Sequence, residues 1–310
     1  MTIRVAAIDC GTNSLRLLVT DLDPASGGAN ELTRRMEIVR LGQGVDATGR
    51  LAPEALRRTF AVCDEYAAAI RDLGAERVRF VATSATRDAA NRDEFVEGVR
   101  SRFGVEPEVV SGDQEAALSF NGATKAVAAD GAGHPTPYLV VDIGGGSTEF
   151  VLGDAAVEAA RSVDIGCVRL TERHLTQDPP TGAQISAALR DIDAAIDLAA
   201  AHVPIEQAKT LVGVAGSITT VSAIALGLPE YDRDRVHLSR ISARTARRVA
   251  EELLSSTHEQ RAANPVIHPG RVDVIGAGAL ILAQIVDRLG LAEVVVSEHD
   301  ILDGIALSQL

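Results

Sequence analysis

A short unit of chain occurs twice at one fixed spacing, and this repeat constrains the fold more than any other feature. The first copy is an apolar run, Ile3 to Ile8, then Asp9-Cys10-Gly11-Thr12-Asn13-Ser14, then Leu15-Arg16-Leu17-Leu18-Val19. The second is Leu139-Val140-Val141-Asp142-Ile143-Gly144-Gly145-Gly146-Ser147, then Thr148-Glu149-Phe150-Val151-Leu152. Asp9 aligns with Asp142, Gly11 with Gly144, Ser14 with Ser147 and Arg16 with Glu149, at a constant offset (142 − 9 = 133). Short β-leaning runs on either side of a glycine turn read as a strand–turn–strand hairpin. A repeat at this scale implies two related domains, which the length of 310 residues also favours.

Gly144, Gly145 and Gly146 let the backbone turn sharply with its N–H groups exposed, and such a concave run of donors cradles phosphate oxygens. Two familiar glycine motifs are excluded. A P-loop needs a lysine after the glycines, and none is here; a dinucleotide fingerprint needs a following helix, and a strand follows here. Asp142 and Glu149 set two carboxylates beside the cradle, oxygen ligands of the kind a divalent cation takes. Taken alone, the same residues also describe an ordinary glycine hairpin.

The chain between the two copies reads as α/β. Asp23 to Gly28 is a turn-rich tip, and Arg35 to Leu41 a strand. Leu56, Phe60, Cys63, Ala67 and Ile70 recur at helical spacing after Pro53, and Gly74 stops that helix. Arg77 to Ala82 is a strand running into Thr83-Ser84-Ala85-Thr86-Arg87. Asn91 and Glu94 suit a capping box for a helix ending near Gly104. A helix begins at once after Ser111-Gly112, with Glu115 in its first turn, where the helix dipole favours an ionised carboxylate. There Glu115 reads either as a general base for water or as a plain stabiliser of the helix end.

Asp130 to Pro137 is a loop and a domain boundary. In the second half, Val157 to Val163 continues the sheet and Thr181 to Ala201 is a helix. The strand Thr210 to Val214 runs into Ala215-Gly216-Ser217, a third glycine–serine turn, at a helix start. That turn suits an anion or is a simple strand–helix connection. Ser242 to Leu254 and Arg271 to Leu289 read as helices, with Gly276 and Gly278 marking close packing. Glu293 to Ser297 reads as a strand and Ile301 to Leu310 as a short helix.

Composition narrows the partners. The net charge is −13, Trp is absent and aromatics are 3%, which argues against nucleic acid. A small polyanion stays open, because the field in a cleft can oppose the net charge. Cys10, Cys63 and Cys167 are odd in number and lack metal spacing, so buried, reduced thiols are expected. The seven histidines contain no metal-binding pair, and His268 and His299 flank turns. There is neither a signal segment at the start nor an apolar run of membrane-spanning length, so a cytoplasmic protein without a membrane partner is expected.

The paired hairpins resemble the phosphate loops of the actin-like ATPase superfamily. Five ordered motifs narrow the resemblance to the exopolyphosphatase/guanosine-pentaphosphatase (Ppx/GppA) enzymes. They are Ile8 to Arg16, Ala82 to Asn91, Ser111 to Ala116, Asp142 to Glu149 and the Ala215-Gly216-Ser217 turn. Leu41-Gly42-Gln43-Gly44-Val45-Asp46 and Ser297 to Gly304 resemble the short actinobacterial exopolyphosphatase type. That type lacks the C-terminal helical domain of longer members, for which no residues follow Leu310.

The resemblance implies an α/β fold of two actin-like (ribonuclease H-like) domains flanking an active-site cleft. Residues 1–125 and 126–310 are the expected domains, with the terminal helix 300–310 free to pack onto the first. It implies metal-dependent hydrolysis of the terminal phosphoanhydride of inorganic polyphosphate. Glu115 would be the base for water, Arg87 a neutraliser of phosphoryl charge, and Asp142 and Glu149 the holders of water or of Mg²⁺, with Mn²⁺ as an alternative. Gly11, Thr12, Asn13, Ser14, Arg16, Gly144, Gly145, Gly146, Ser147, Gly216 and Ser217 would bind phosphate. The family segment commonly has two adjacent glutamates; here Gln114 takes the first place and Glu115 the second. Three rivals share these motifs: a pppGpp phosphohydrolase giving ppGpp, an actin-like kinase and a non-catalytic phosphonucleotide sensor. Members are often dimeric, so a homodimer is a further expectation.

Overall fold

The computed structural model describes residues 2–25 and 28–310. Ser26 and Gly27 of the expected tip, and Met1, lie outside the described residues. The chain divides into two compact units, residues 1–122 with 301–310, and residues 123–300.

The first unit is built on a five-stranded sheet. Its strands are β1 (Ile3–Cys10), β2 (Ser14–Leu22), β3 (Ala29–Ile38), β4 (Arg77–Ala82) and β5 (Glu108–Val109), in the order β3-β2-β1-β4-β5. Strands β1 to β3 form an antiparallel meander, and β4 and β5 add in parallel. Its helices are α1 (Val45–Thr48), α2 (Pro53–Leu73), α3 (Ser84–Asp88), α4 (Arg92–Phe103) and α5 (Gly112–Ala129), the last of which runs on past Gly122.

Strand β1 shows why the first apolar run is continuous. Side chains alternate across a strand. Ala6, Ile8 and Cys10 enter the core formed with α2 and α4, while Val5 and Ala7 meet Ile301, Leu302 and Ile305 of the C-terminal helix (Ile301–Leu307). A strand buried on both faces has no polar face to show in its sequence. The C-terminal helix is fastened further by Arg34, which grips both carboxylate oxygens of Asp303 at 2.5 and 3.2 Å.

The second unit repeats the plan. Its sheet order is β10-β11-β9-β6-β7-β8, from β6 (Tyr138–Ile143), β7 (Thr148–Gly153), β8 (Val157–Val163), β9 (Thr210–Val214), β10 (Arg240–Ser242) and β11 (Glu293–Val296). The 133-residue offset extends from the hairpin to the pairing itself. Ile8 opposes Leu17 as Val141 opposes Phe150, and Ala7 lies beside Arg79 as Val140 lies beside Val212. The helices are α6 (Cys167–His174), α7 (Gly182–Ala200), α8 (Ala215–Ala225), α9 (Arg233–Val236), α10 (Ala243–Ser255), α11 (His258–Ala262) and α12 (Ile275–Leu289). One core of Ile, Leu, Val and Ala joins the sheet to α7, α8, α10 and α12.

Three local expectations are corrected. The strand expected at 35–41 is longer and begins earlier, at Ala29, because the meander pairs it with β2 along its length. The helix expected from Arg271 begins at Ile275, after a 3₁₀ turn over Pro269–Arg271. Asn91 precedes α4 but does not cap it with its side chain. Its amide instead brackets Leu51, accepting from the N–H at 2.8 Å and donating to the carbonyl at 3.1 Å, and a distant loop thereby takes the groups that a capping box would use.

Candidate active site

In the first unit, β1 ends on Asp9 and Cys10, and the chain turns through Gly11-Thr12-Asn13 into β2. The turn is closed by Gly11 N–H donating to the carbonyl of Ser14 at 2.9 Å. Asp9 and Arg16 are cross-strand partners, and the Arg16 guanidinium donates to one Asp9 oxygen at 2.9 and 2.6 Å. This pair is mostly buried, so Arg16, expected at phosphate, is engaged by its own hairpin.

Strand β4 lies beside β1 and delivers Thr83, Ser84 and Arg87 at its end. The hydroxyls of Thr12 and Ser84 are 2.8 Å apart and buried, which ties the turn to α3. Arg87 closes the distance between two segments that sequence leaves apart. Its Nη1 donates to Glu115 Oε2 at 3.0 Å and to the Val110 carbonyl at 3.0 Å. Glu115 itself is 8% exposed and sits in the first turn of α5. A carboxylate so held is oriented and shielded, as a base acting on water must be.

In the second unit, the corresponding turn runs from β6 to β7. Gly144 N–H donates to the Ser147 carbonyl at 3.0 Å, the same closure as in the first turn. Asp142 and Glu149 are direct cross-strand partners, and both are buried. Direct partners on a sheet bring Cβ atoms within about 5.5 Å, and like charges there repel. Glu149 Oε1 accepts from Ser162 on β8 at 2.7 Å. Ser162 was not anticipated from sequence, because only the β7–β8 register places it opposite Glu149.

Both turns have their carbonyls drawn backwards. In the first unit Val39 and Arg40 N–H donate to the Asn13 carbonyl at 3.0 and 2.9 Å, and Gly42 N–H to that of Thr12 at 2.8 Å. In the second, Cys167 N–H donates to Gly144 at 3.0 Å, and Val168 and Arg169 to Gly145 at 2.9 and 3.1 Å. The segment after the third strand of each meander thus binds the turn's carbonyls from behind. Close approach demands glycine in both. A Cβ on Gly42 would lie 2.3 Å from Thr12 Cγ2, and one on Gly166 would lie 2.4 Å from the Gly145 carbonyl oxygen. The Leu41 to Asp46 motif therefore has a physical role as a support of the first turn.

The third turn, Ala215-Gly216-Ser217, starts α8 at the end of β9. Ala215 has φ 68°, a left-handed conformation that is strained for a residue with a side chain. The guanidinium of Arg271 lies directly over Gly216; a Cβ there would fall 1.1 Å from Nη1. Ser217 is buried against Gly278 of α12. Arg271 is the main residue that sequence reading missed at this turn. The same offset pairs Ser84 with Ser217, so the third turn has a counterpart in the first unit as well.

Among the described residues, no cluster of three or more His, Cys, Asp or Glu could by itself hold a metal ion, and no helix is long and apolar enough to cross a membrane. The three cysteines are free and buried. Burial pushes the Cys10 and Cys167 thiols up, and holds that of Cys63 at about 12.

Comparison with known proteins agrees with this architecture. The family model described as the Ppx/GppA phosphatase family matches residues 21–310. The chain is 49% identical to Exopolyphosphatase 2 of Mycobacterium tuberculosis over 98% of each chain. A crystal structure of an exopolyphosphatase-like protein matches with a TM-score of 0.95 and 44% identity, over 99% of this chain and 98% of that one. The crystal structure of the Aquifex aeolicus member of the Ppx/GppA family matches with a TM-score of 0.79 and 29% identity, over 100% and 98%. The two α/β units with their mixed sheets and the match along nearly the whole chain leave one conclusion: this chain belongs to the Ppx/GppA phosphatase family.

Proposed function

We propose that the protein is a cytoplasmic exopolyphosphatase that hydrolyses the terminal phosphoanhydride of inorganic polyphosphate and releases orthophosphate. The observation that carries the reading is Glu115, a buried carboxylate at a helix start, oriented by Arg87 at 3.0 Å. The name of the M. tuberculosis relative supports polyphosphate as the substrate class.

Glu115 takes a proton from water as its oxygen attacks the terminal phosphorus. The bond to the bridging oxygen breaks, and the shortened chain leaves with that oxygen's negative charge. Such a reaction asks for positioning and charge stabilisation more than covalent chemistry. The turns Gly11 to Ser14 and Gly144 to Ser147 bind phosphate oxygens through the amides that follow the closing Gly11 and Gly144 N–H groups, as do Gly216 and Ser217. Arg87 and Arg271 supply positive charge.

Asp142 and Glu149 fit a hard divalent cation. They are two buried acid side chains at opposed register positions, and Mg²⁺ is commonly held by one or two carboxylates, with water and substrate phosphate completing its shell. Mn²⁺ has the same ligand preference. When bound, Mg²⁺ offsets the charge of the phosphates. The test is phosphate release from short polyphosphate, long polyphosphate and pppGpp side by side with Mg²⁺. Polyphosphate as the best substrate is the expected result; turnover of pppGpp alone, or of none of the three, would overturn the reading.

A further inference from the structure

We propose that Arg169 is a positioning residue that fixes the Gly144–Gly146 turn in its anion-binding form. A run of three glycines has the least conformational restraint of any backbone, and its N–H groups face an anion only when its carbonyls are held elsewhere. The start of α6 does the holding. The first N–H groups of a helix have no partner within it. Here those of Cys167, Val168 and Arg169 take the carbonyls of Gly144 and Gly145. That leaves Gly146, whose carbonyl accepts from Arg169 Nε at 2.7 Å.

Arg169 therefore binds two consecutive glycines, one through its backbone and one through its side chain. The guanidinium bond is charge-assisted, and such bonds are shorter and stronger than neutral ones. It is also the one member of the set that a substitution can remove while the backbone stays intact. The first unit shows by contrast what the side chain adds. There Val39, Arg40 and Gly42 restrain the turn through backbone N–H groups, and the residues restrained are Thr12 and Asn13, not glycines.

The kinetic part of this inference rests on the phosphatase reading; the structural part does not. The decisive measurement is amide hydrogen exchange of residues 144–147 in the full-length protein, without substrate, for wild type, Arg169→Ala and Arg169→Lys. Faster exchange in Arg169→Ala, with slower exchange restored by lysine and no change around residues 11–14, is expected. In polyphosphate hydrolysis the alanine variant should lose about 10- to 100-fold in kcat, with a smaller change in KM and partial rescue by lysine. Unchanged exchange with a raised KM would make Arg169 a direct substrate contact and overturn the inference. Faster exchange throughout the second unit in both variants would reduce it to a general packing role and equally overturn it. A wild type inactive on polyphosphate would instead remove the reading of function and leave the exchange result standing.

Discussion

Arg87 Nη1 donates at once to Glu115 Oε2 and to the Val110 carbonyl, each at 3.0 Å, so one guanidinium fixes the candidate base relative to the backbone just past β5. The arrangement makes Glu115 and Arg87 a single device. Charge-assisted bonds orient as well as attract, and a base must be aimed at the proton that it removes.

Glu115→Gln keeps the shape and the contact with Arg87 but removes the basic oxygen. It should lower turnover of polyphosphate by at least ~100-fold while equilibrium binding of polyphosphate is retained. Arg87→Ala should also lower kcat, and the double variant should be little worse than Glu115→Gln alone. Steady-state kinetics on the four proteins decides the matter: multiplying defects would mean that the two side chains act separately.

Gly42→Ala and Gly166→Ala test the supports of the two turns. The second is the harsher, since its Cβ meets the Gly145 backbone rather than a side chain. Overpacking of this kind costs about 1–3 kcal/mol. Both variants should lose activity, and Gly166→Ala should also lower the midpoint of urea unfolding. Full activity in Gly166→Ala would show that the turn has room to move.

Much of this was legible in the sequence. Asp9 and Asp142, with the glycines and serines that follow, are neighbours in the chain, so a hairpin motif reveals them. Glu115 and Arg87 could be named from their motifs, but their contact joins segments 28 residues apart. Arg271 over Gly216, Ser162 on Glu149 and Arg169 on Gly146 have no local signature, because each depends on sheet register or on helix packing. Asn91 failed as a cap for the same reason. A remote partner, Leu51, outbid the local one.

Asp142→Ala and Glu149→Ala should each raise the Mg²⁺ concentration needed for half-maximal activity, because Mg²⁺ relies on few protein ligands. A titration of activity against Mg²⁺ for the three proteins reads the shift. Unaltered dependence in both variants, or full activity of the wild type in excess chelator, would remove these residues as the metal holders.

Stability should fall above about pH 9. The Cys63 thiol is held near 12 by burial, against an ordinary value of 9.0. Between those values the unfolded chain gives up a proton that the folded protein keeps, so rising pH favours unfolding. Below that range the contribution is fully present. Cys63→Ala should flatten this alkaline limb of the unfolding free energy measured by urea titration, after allowance for the small cavity. An unchanged slope would assign the alkaline loss to other groups.

The repeated hairpins differ most tellingly at one registered position, Arg16 in the first and Glu149 in the second, each opposite an aspartate. The first copy thereby cancels its own charge, while the second accumulates it. Two halves of common plan have become electrically unequal through a single side chain. One sets a guanidinium against a carboxylate across its hairpin; the other sets two carboxylates at the same register position, the pair proposed above to hold a divalent cation. Exchanging these two residues by Arg16→Glu and Glu149→Arg would be expected to move that proposed cation site to the other hairpin.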